Sequence, residues 1–242
     1  MKKRLFVVSD VHGHYTGMKT ALDKAGFDPN NEKHIFLSCG DLFDRGKENT
    51  NVYDFVCNLK QKILLKGNHE DILNCIFERG HLEQTDFLNE TDITVKQLLG
   101  SDAIDFDGRL NSVKYAEKIK EIKSFIDGMA DYYETADYVF THGWLPITFD
   151  DRTAKVDLDW KSASKADWIE ARLLEWQQLY SVGAGLKDKT IVCGHRPSYL
   201  GRMFDSFRDP DSSEIFYGDG LIAIDAYTVR SGRVNVFVID VE

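Results

Sequence analysis

The sequence predicts an α/β fold with largely parallel strand pairing, and three observations predict it. Short apolar runs of β type recur and stop abruptly at Gly, Asp, Asn or His: residues 5–9, 35–39, 63–65, 138–141 and 191–193. Helical periodicity fills the intervals after the early runs, first through Met18, Leu22 and Ala25, then Val52, Phe55, Val56 and Leu59, then Ile72, Leu73, Ile76 and Phe77. Strands alternating with helices in this way pair in parallel. After Ser213 the pattern changes: residues 214–217, 221–224 and 234–239 follow closely with Gly-containing turns between them. They predict an antiparallel meander that forms or completes a second sheet.

The remaining stretches read as helical. Residues 81–137 are strand-poor and hold 13 acidic against 6 basic residues, so they carry −7 of the chain's net −10. The expectation is a helical, acidic insertion on a single domain spanning 1–242. A second helical segment, about 165–180, carries Trp168, Leu173, Leu174 and Trp176. The four tryptophans, with Trp144 and Trp160, read as core packing, because buried aromatics dominate cores.

Composition narrows the function classes. At 242 residues, 43% hydrophobic and 29% charged, the chain is long enough for one large core and too ordinary for disorder. Forty acids against thirty bases repel nucleic acid and anionic membranes. No stretch approaches the ~18 apolar residues of a membrane span, and the early run Leu5–Val8 is shorter than a secretory core of ~7–15 residues, so a cytoplasmic location is expected. Cys39, Cys57, Cys75 and Cys193 show no metal or disulfide spacing. Cys39 and Cys193, inside apolar runs, read as buried free thiols.

Chemistry concentrates where the strands end. The five runs lead into Asp10-Val-His12-Gly, Gly40-Asp41-Leu-Phe-Asp44-Arg45-Gly, Gly67-Asn68-His69-Glu70, Thr141-His142-Gly and Gly194-His195-Arg196-Pro. In open α/β sheets ligands bind just beyond the carboxyl ends of the strands, so these loops are expected to converge. Two aspartates, three histidines and an asparagine offer oxygen and imidazole nitrogen without thiolate, a set that suits Mn, Fe or Zn. Six ligands are too many for one ion with open positions. They suit two ions about 3.5–4 Å apart sharing a carboxylate, the arrangement of two-metal hydrolases. The five fixed positions of G-D-x-x-D-R-G arise by chance in roughly a few in ten thousand chains of this size.

In this order the motifs resemble the phosphoprotein phosphatase branch of the calcineurin-like metallophosphoesterases, which includes serine/threonine protein phosphatases and symmetrical diadenosine tetraphosphate hydrolases. The resemblance runs from Asp10 to His195 and implies a four-layer α/β/β/α sandwich with a dinuclear divalent-metal centre, Mn first among the candidates. It implies Asp10 and His12 on the first ion, Asp41 bridging, and Asn68, His142 and His195 on the second. It implies a metal-activated water as nucleophile, His69 as general acid with Asp44 fixing its tautomer, and Arg45 clamping phosphate. Arg172 is the candidate for a second clamping arginine, with a surface helix residue as the alternative reading. Arg196 is either another phosphate contact or a salt-bridged structural arginine.

Three departures from the family's pattern stand out, and the last two bear on substrate preference. Lys66 stands where many relatives have arginine, Lys47-Glu48 follows the D-R-G motif where bacterial relatives often have proline, and Asn89-Glu90-Thr91 interrupts a place that tends to hold a glycine pair. The leading expectation is a phosphomonoesterase acting on phosphoserine or phosphothreonine in proteins, or on small phosphoesters, because the acidic insertion disfavours a long polyphosphate. The alternative is a symmetrical dinucleoside polyphosphate hydrolase. A non-catalytic metal-bound scaffold is the distant third, since a scaffold needs neither His69, Asp44 nor Arg45.

Overall fold

The computed structural model describes residues 2–204 and 212–241. Its first half repeats strand–helix units: β1 (Lys3–Val8), α1 (Tyr15–Ala25), β2 (His34–Ser38), α2 (Asn49–Asn58), β3 (Lys62–Leu64) and α3 (Asn68–Arg79). Three helices follow, α4 (Gln84–Leu88), α5 (Thr91–Leu99) and α6 (Ala116–Asp127). Then come β4 (Tyr133–Glu134), β5 (Tyr138–Phe140), the hairpin β6 (Ile147–Asp150) and β7 (Thr153–Val156), α7 (Lys165–Arg172) and α8 (Trp176–Ser181). The chain closes through β8 (Thr190–Cys193), β9 (Phe216–Gly218), β10 (Leu221–Ala223), α9 (Thr228–Ser231) and β11 (Phe237–Val241).

The strands form two main sheets. One has the order β11-β1-β2-β3, with β1, β2 and β3 parallel and β11 antiparallel at the edge. The other has the order β4-β5-β8-β10-β9, parallel through β5, β8 and β10 with antiparallel edges. Side-chain alternation along each strand explains why the sheets stack. In β1, Leu5 and Val7 face the second sheet while Phe6 and Val8 face the helices; in β10, Ile222 faces the first sheet while Leu221 and Ala223 face outward. Three apolar layers result, helices on the first sheet, sheet on sheet, and second sheet on α7 and α8. This is the four-layer α/β/β/α sandwich.

The acidic stretch 81–137 is helical through α4, α5 and α6, and it supplies Val95, Leu98, Ile119, Ile122 and Ile126 to the same apolar cluster as Val52, Val56 and Leu73. One sequence expectation resolves differently: the expected three-strand meander is only β9 with β10. The third run begins at Phe237 and pairs with β1, where Phe237 is buried between the sheets and the free edge of β1 gains a partner. Trp144, Trp160, Trp168 and Trp176 are all buried in the outer layer beside the second sheet, and Cys39 and Cys193 are buried free thiols. Among the described residues no helix is long and apolar enough to cross a membrane.

Candidate active site

The loops after β1, β2, β3 and β8 converge at one end of the two sheets and line a cleft of about 160 Å³ together with Asp225 and Tyr227, while His142 of the loop after β5 is buried against Asp41. The turns that deliver the side chains are tight. Asp10, His12, Asp41, Asp44, Arg45 and His195 all have positive φ, between 47° and 74°. Non-glycine residues there cost on the order of 1–3 kcal/mol each and persist only where surrounding bonds over-determine them. Those bonds are present: the Asp10 amide donates to the Gly40 carbonyl (3.1 Å), the His12 amide to Asp41 (3.0 Å) and the Gly194 amide to His142 (2.8 Å). Glycine is required at Gly67 and Gly194, where a Cβ would collide with the carboxylates of Asp41 and Asp10 respectively.

Asp41 stands at the centre. Its Oδ2 is 3.3 Å from His142 Nε2, 3.8 Å from His12 Nε2 and 3.9 Å from His69 Nε2. Two donor clusters share it, His12–Asp41–His69 and Asp41–His142–His195, with all ligand atoms in each within 4.8 Å of one another. Asp10 Oδ1 is 3.9 Å from His12 Nε2, and its Oδ2 accepts from Ser9 Oγ (2.6 Å) and the His195 amide (2.9 Å). Asn68 Oδ1 is 3.0 Å from His142 Nε2. All six expected metal ligands are thus brought together.

The donor chemistry fits cations. His12 Nδ1 donates to the Phe43 carbonyl (3.0 Å) and His142 Nδ1 to the Cys39 carbonyl (2.8 Å), which turns each Nε2 lone pair inward, the tautomer a metal ligand needs. A buried Nε2 lone pair facing the Asp41 carboxylate is tolerable only with a proton or a cation between them. Burial alone would lower His142, but the Asp41 carboxylate outweighs it and raises the imidazole to about 9. Burial lowers His12 and His195 to about 3, so both are neutral at any physiological pH, as a ligand imidazole must be. Burial acts against the Asp41 carboxylate as well, yet His142 and His69 hold it well below the ordinary carboxylate range.

These values set a sign. A proton on His142 competes with a cation, so divalent-metal affinity is expected to rise with pH, up to about tenfold per unit, until pH reaches about 9. The proton's contribution to fold stability runs the other way: it is fully present below the ordinary value near 6.5 and lost as pH rises through about 9. Metal titrations at pH 6.5, 7.5 and 8.5, with proton release followed in weakly buffered solution, check both directions.

His69 lies at the N-terminus of α3 and donates through Nδ1 to Asp44 Oδ2 at 2.7 Å. Burial opposes its imidazolium, but Asp41 and Asp44 together outweigh burial and raise it above its ordinary value. Asp44 is held in turn by Thr94 Oγ1 (2.6 Å) and Thr91 Oγ1 (2.9 Å) on α5. Sequence reasoning missed these threonines; their only signal was a pair of hydroxyls three apart on one helix face. Arg45 is exposed at the rim, its Nη1 3.3 Å from His12 Nε2 and its Nη2 3.5 Å from Asn89 Oδ1.

Glu70, the last residue of the G-N-H-E motif, organises the loops around the cleft. Its buried carboxylate accepts the amides of Asp41 (2.9 Å), Leu42 (2.8 Å) and Gly67 (2.8 Å), which ties the β2 and β3 loops together. Burial, reinforced by the Asp41 charge, raises it to about 7. Glu70→Ala strands three buried amides at about 1–3 kcal/mol each. The expected outcome is a loss of roughly 3–9 kcal/mol, a fall in Tm of about 6 °C or more by calorimetry. Asp225, also unassigned, is buried in the cleft lining, and burial with the nearby Asp10 charge pushes its carboxyl well above the ordinary range.

The two candidate second arginines lie differently. Arg172 is buried and does not line the cleft; its Nε bonds Asp71 at 2.7 Å and its Nη1 bonds Asp131 at 2.8 Å, so its charge is committed to tying α7 to α3. It is neither a surface residue nor placed against the reacting end of the cleft. Arg196 does line the cleft, while its guanidinium pairs with Glu175.

Known proteins match this arrangement. Serine/threonine-protein phosphatase 2 of Salmonella typhimurium is 36% identical over 76 residues, 31% of this chain and 34% of that protein. A symmetrical bis(5'-nucleosyl)-tetraphosphatase of Aeromonas hydrophila is 38% identical over 64 residues, 26% of this chain and 23% of that protein. The alignments thus span about a quarter to a third of these relatives. Among solved structures, a metallophosphoesterase from Sphaerobacter thermophilus shares the fold over 99% of this chain and 88% of its own, with a TM-score of 0.54 and 16% identity. A cold-active protein-tyrosine phosphatase of a psychrophilic Shewanella does so over 98% and 75%, with a TM-score of 0.54 and 18% identity. The family model for calcineurin-like phosphoesterases matches residues 3–229, every strand-end loop of the cleft included, and the chain belongs to that family.

Proposed function

We propose that this phosphoesterase is a metal-dependent phosphomonoesterase acting on phosphoserine or phosphothreonine in proteins, or on small phosphoesters. The observation that carries the reading is the cleft itself: about 160 Å³, room for a phosphoryl group, against the roughly 300–1,000 Å³ of sites that enclose a drug-sized ligand. The family works with a dinuclear divalent-metal centre, and Asp10, His12 and Asp41 would hold one ion while Asp41, Asn68, His142 and His195 would hold the other. Bound there, such ions supply an acidified water and positive charge for the phosphoryl oxygens.

The chain's own residues do the rest. Arg45, free to swing at the rim, grips a phosphoryl oxygen pair and sets the phosphate's orientation. His69, whose imidazolium two carboxylates favour against its burial, delivers the Nε2 proton to the departing alkoxide. Asp44, itself pinned by Thr91 and Thr94, keeps Nδ1–H engaged so that Nε2 is the proton that leaves. Native metal identity is read by elemental analysis of the purified protein, with Mn expected.

A second reading, symmetrical dinucleoside polyphosphate hydrolysis, is favoured by the name of the Aeromonas hydrophila relative. One comparison separates the two: kcat/KM for a phosphoserine peptide and for diadenosine tetraphosphate with Mn²⁺. A peptide preference supports the monoesterase; a preference of tenfold or more for the dinucleotide overturns it.

A further inference from the structure

Beside the cleft lies an apolar surface that the chemistry does not use. Phe87, Leu88 and Phe106 are 47%, 77% and 97% exposed, in a layer where Val95, Leu98, Ile119, Ile122 and Ile126 are packed. They belong together: a Cβ placed on Gly108, in the turn bearing Phe106, would lie 3.6 Å from the Phe87 ring, and the Leu82 amide bonds the Gly108 carbonyl at 2.8 Å. They also adjoin the catalytic rim. Leu88 ends α4, and the next residue, Asn89, touches Arg45 at 3.5 Å while Thr91 bonds Asp44. Leu88 therefore lies about two to four extended residues, at ~3.3 Å each, from a phosphate held by Arg45.

The surroundings are acidic. Residues 81–110 hold seven acidic against two basic residues. Of the two bases, Lys96 is taken up by Asp92 and Arg109 is exposed; Arg79, just before this stretch, is taken up by Asp86, whereas Glu90, Asp105 and Asp107 are exposed and without an ion pair among the described residues. An apolar patch ringed by unpaired carboxylates repels anionic membranes and polyphosphates and attracts a cationic, partly apolar peptide.

We propose that Phe87, Leu88 and Phe106, with Glu90, Asp105 and Asp107 around them, are a docking surface for the segment flanking the phosphorylated residue of a protein substrate, one carrying a large apolar side chain beside Lys or Arg. The inference rests on the phosphoprotein reading and narrows it to a sequence class.

Three substrates test it: a phosphoserine peptide with leucine and two arginines within four residues of the phosphate, the same peptide with serine and glutamates there, and p-nitrophenyl phosphate. The wild-type protein is expected to favour the first peptide over the second by about tenfold or more in kcat/KM, the worth of burying one such side chain. In the Leu88→Ser/Phe106→Ser double variant the preference collapses through KM, while kcat and p-nitrophenyl phosphate turnover stay unchanged. Glu90→Lys, which alters only charge, lowers the preference through KM as well. A preference that survives in both variants overturns the docking surface. So does a dimer that dissociates in the double variant, which would make the patch a self-association face. A wild-type protein that hydrolyses diadenosine tetraphosphate but neither peptide overturns the phosphoprotein reading itself, a result distinct from indifference to the variants.

Discussion

Asp41→Asn is expected to abolish binding of both metal equivalents and to lower kcat by at least about 10⁴-fold, with the fold intact by circular dichroism. The reason is geometric. One carboxylate oxygen serves three histidines at 3.3–3.9 Å and belongs to both donor clusters, so no other single change removes charge from both at once. Loss of one preorganised electrostatic contact costs ~10²–10³-fold, and two sites fail together here. The same variant removes what holds His142 near 9, so burial takes over and its NMR-detected titration falls below its ordinary value. Retention of one full metal equivalent would show that the two clusters do not share Asp41.

His69→Asn is expected to lower kcat by about 10²–10⁴-fold, the range of a lost general acid, while metal content stays at the wild-type level. The structure makes this a sharp test, because His69 Nε2 is near enough to Asp41 and His12 to count geometrically as a ligand. What favours the acid role is its other nitrogen. A 2.7 Å bond to a carboxylate that is itself held by two threonines raises the imidazole's basicity and favours its protonated form. The loss should shrink for substrates whose leaving group needs no proton, so p-nitrophenyl phosphate should suffer much less than a phosphoserine peptide. Metal content falling in parallel with kcat would make His69 a ligand and remove it as the acid.

Much of this site was legible before any coordinates. Asp10, His12, Asp41, Asn68, His142 and His195 stand directly after apolar runs, and the topology of a parallel sheet brings such positions to one edge whatever their separation in sequence. The supports were less legible. Thr91 and Thr94 lie 47 and 50 residues from the Asp44 they hold, in a helix with no motif. Glu70's three amide bonds depend on the β2 and β3 loops lying side by side. Arg172 illustrates the limit from the other side: rough position made it a phosphate clamp, but the carboxylates that claim it, Asp71 and Asp131, are 101 and 41 residues away.

The sequence by itself determined the α/β class with largely parallel pairing and the identity of the metal-capable loops, because short apolar runs and residue type at a strand end are local properties. Only the tertiary structure decided where β11 pairs, which arginine reaches the cleft, and which side chains tune His69 and His142. Those outcomes depend on competition among distant groups for the same buried partner, and such competition is settled by three-dimensional packing, which spacing along the chain does not encode.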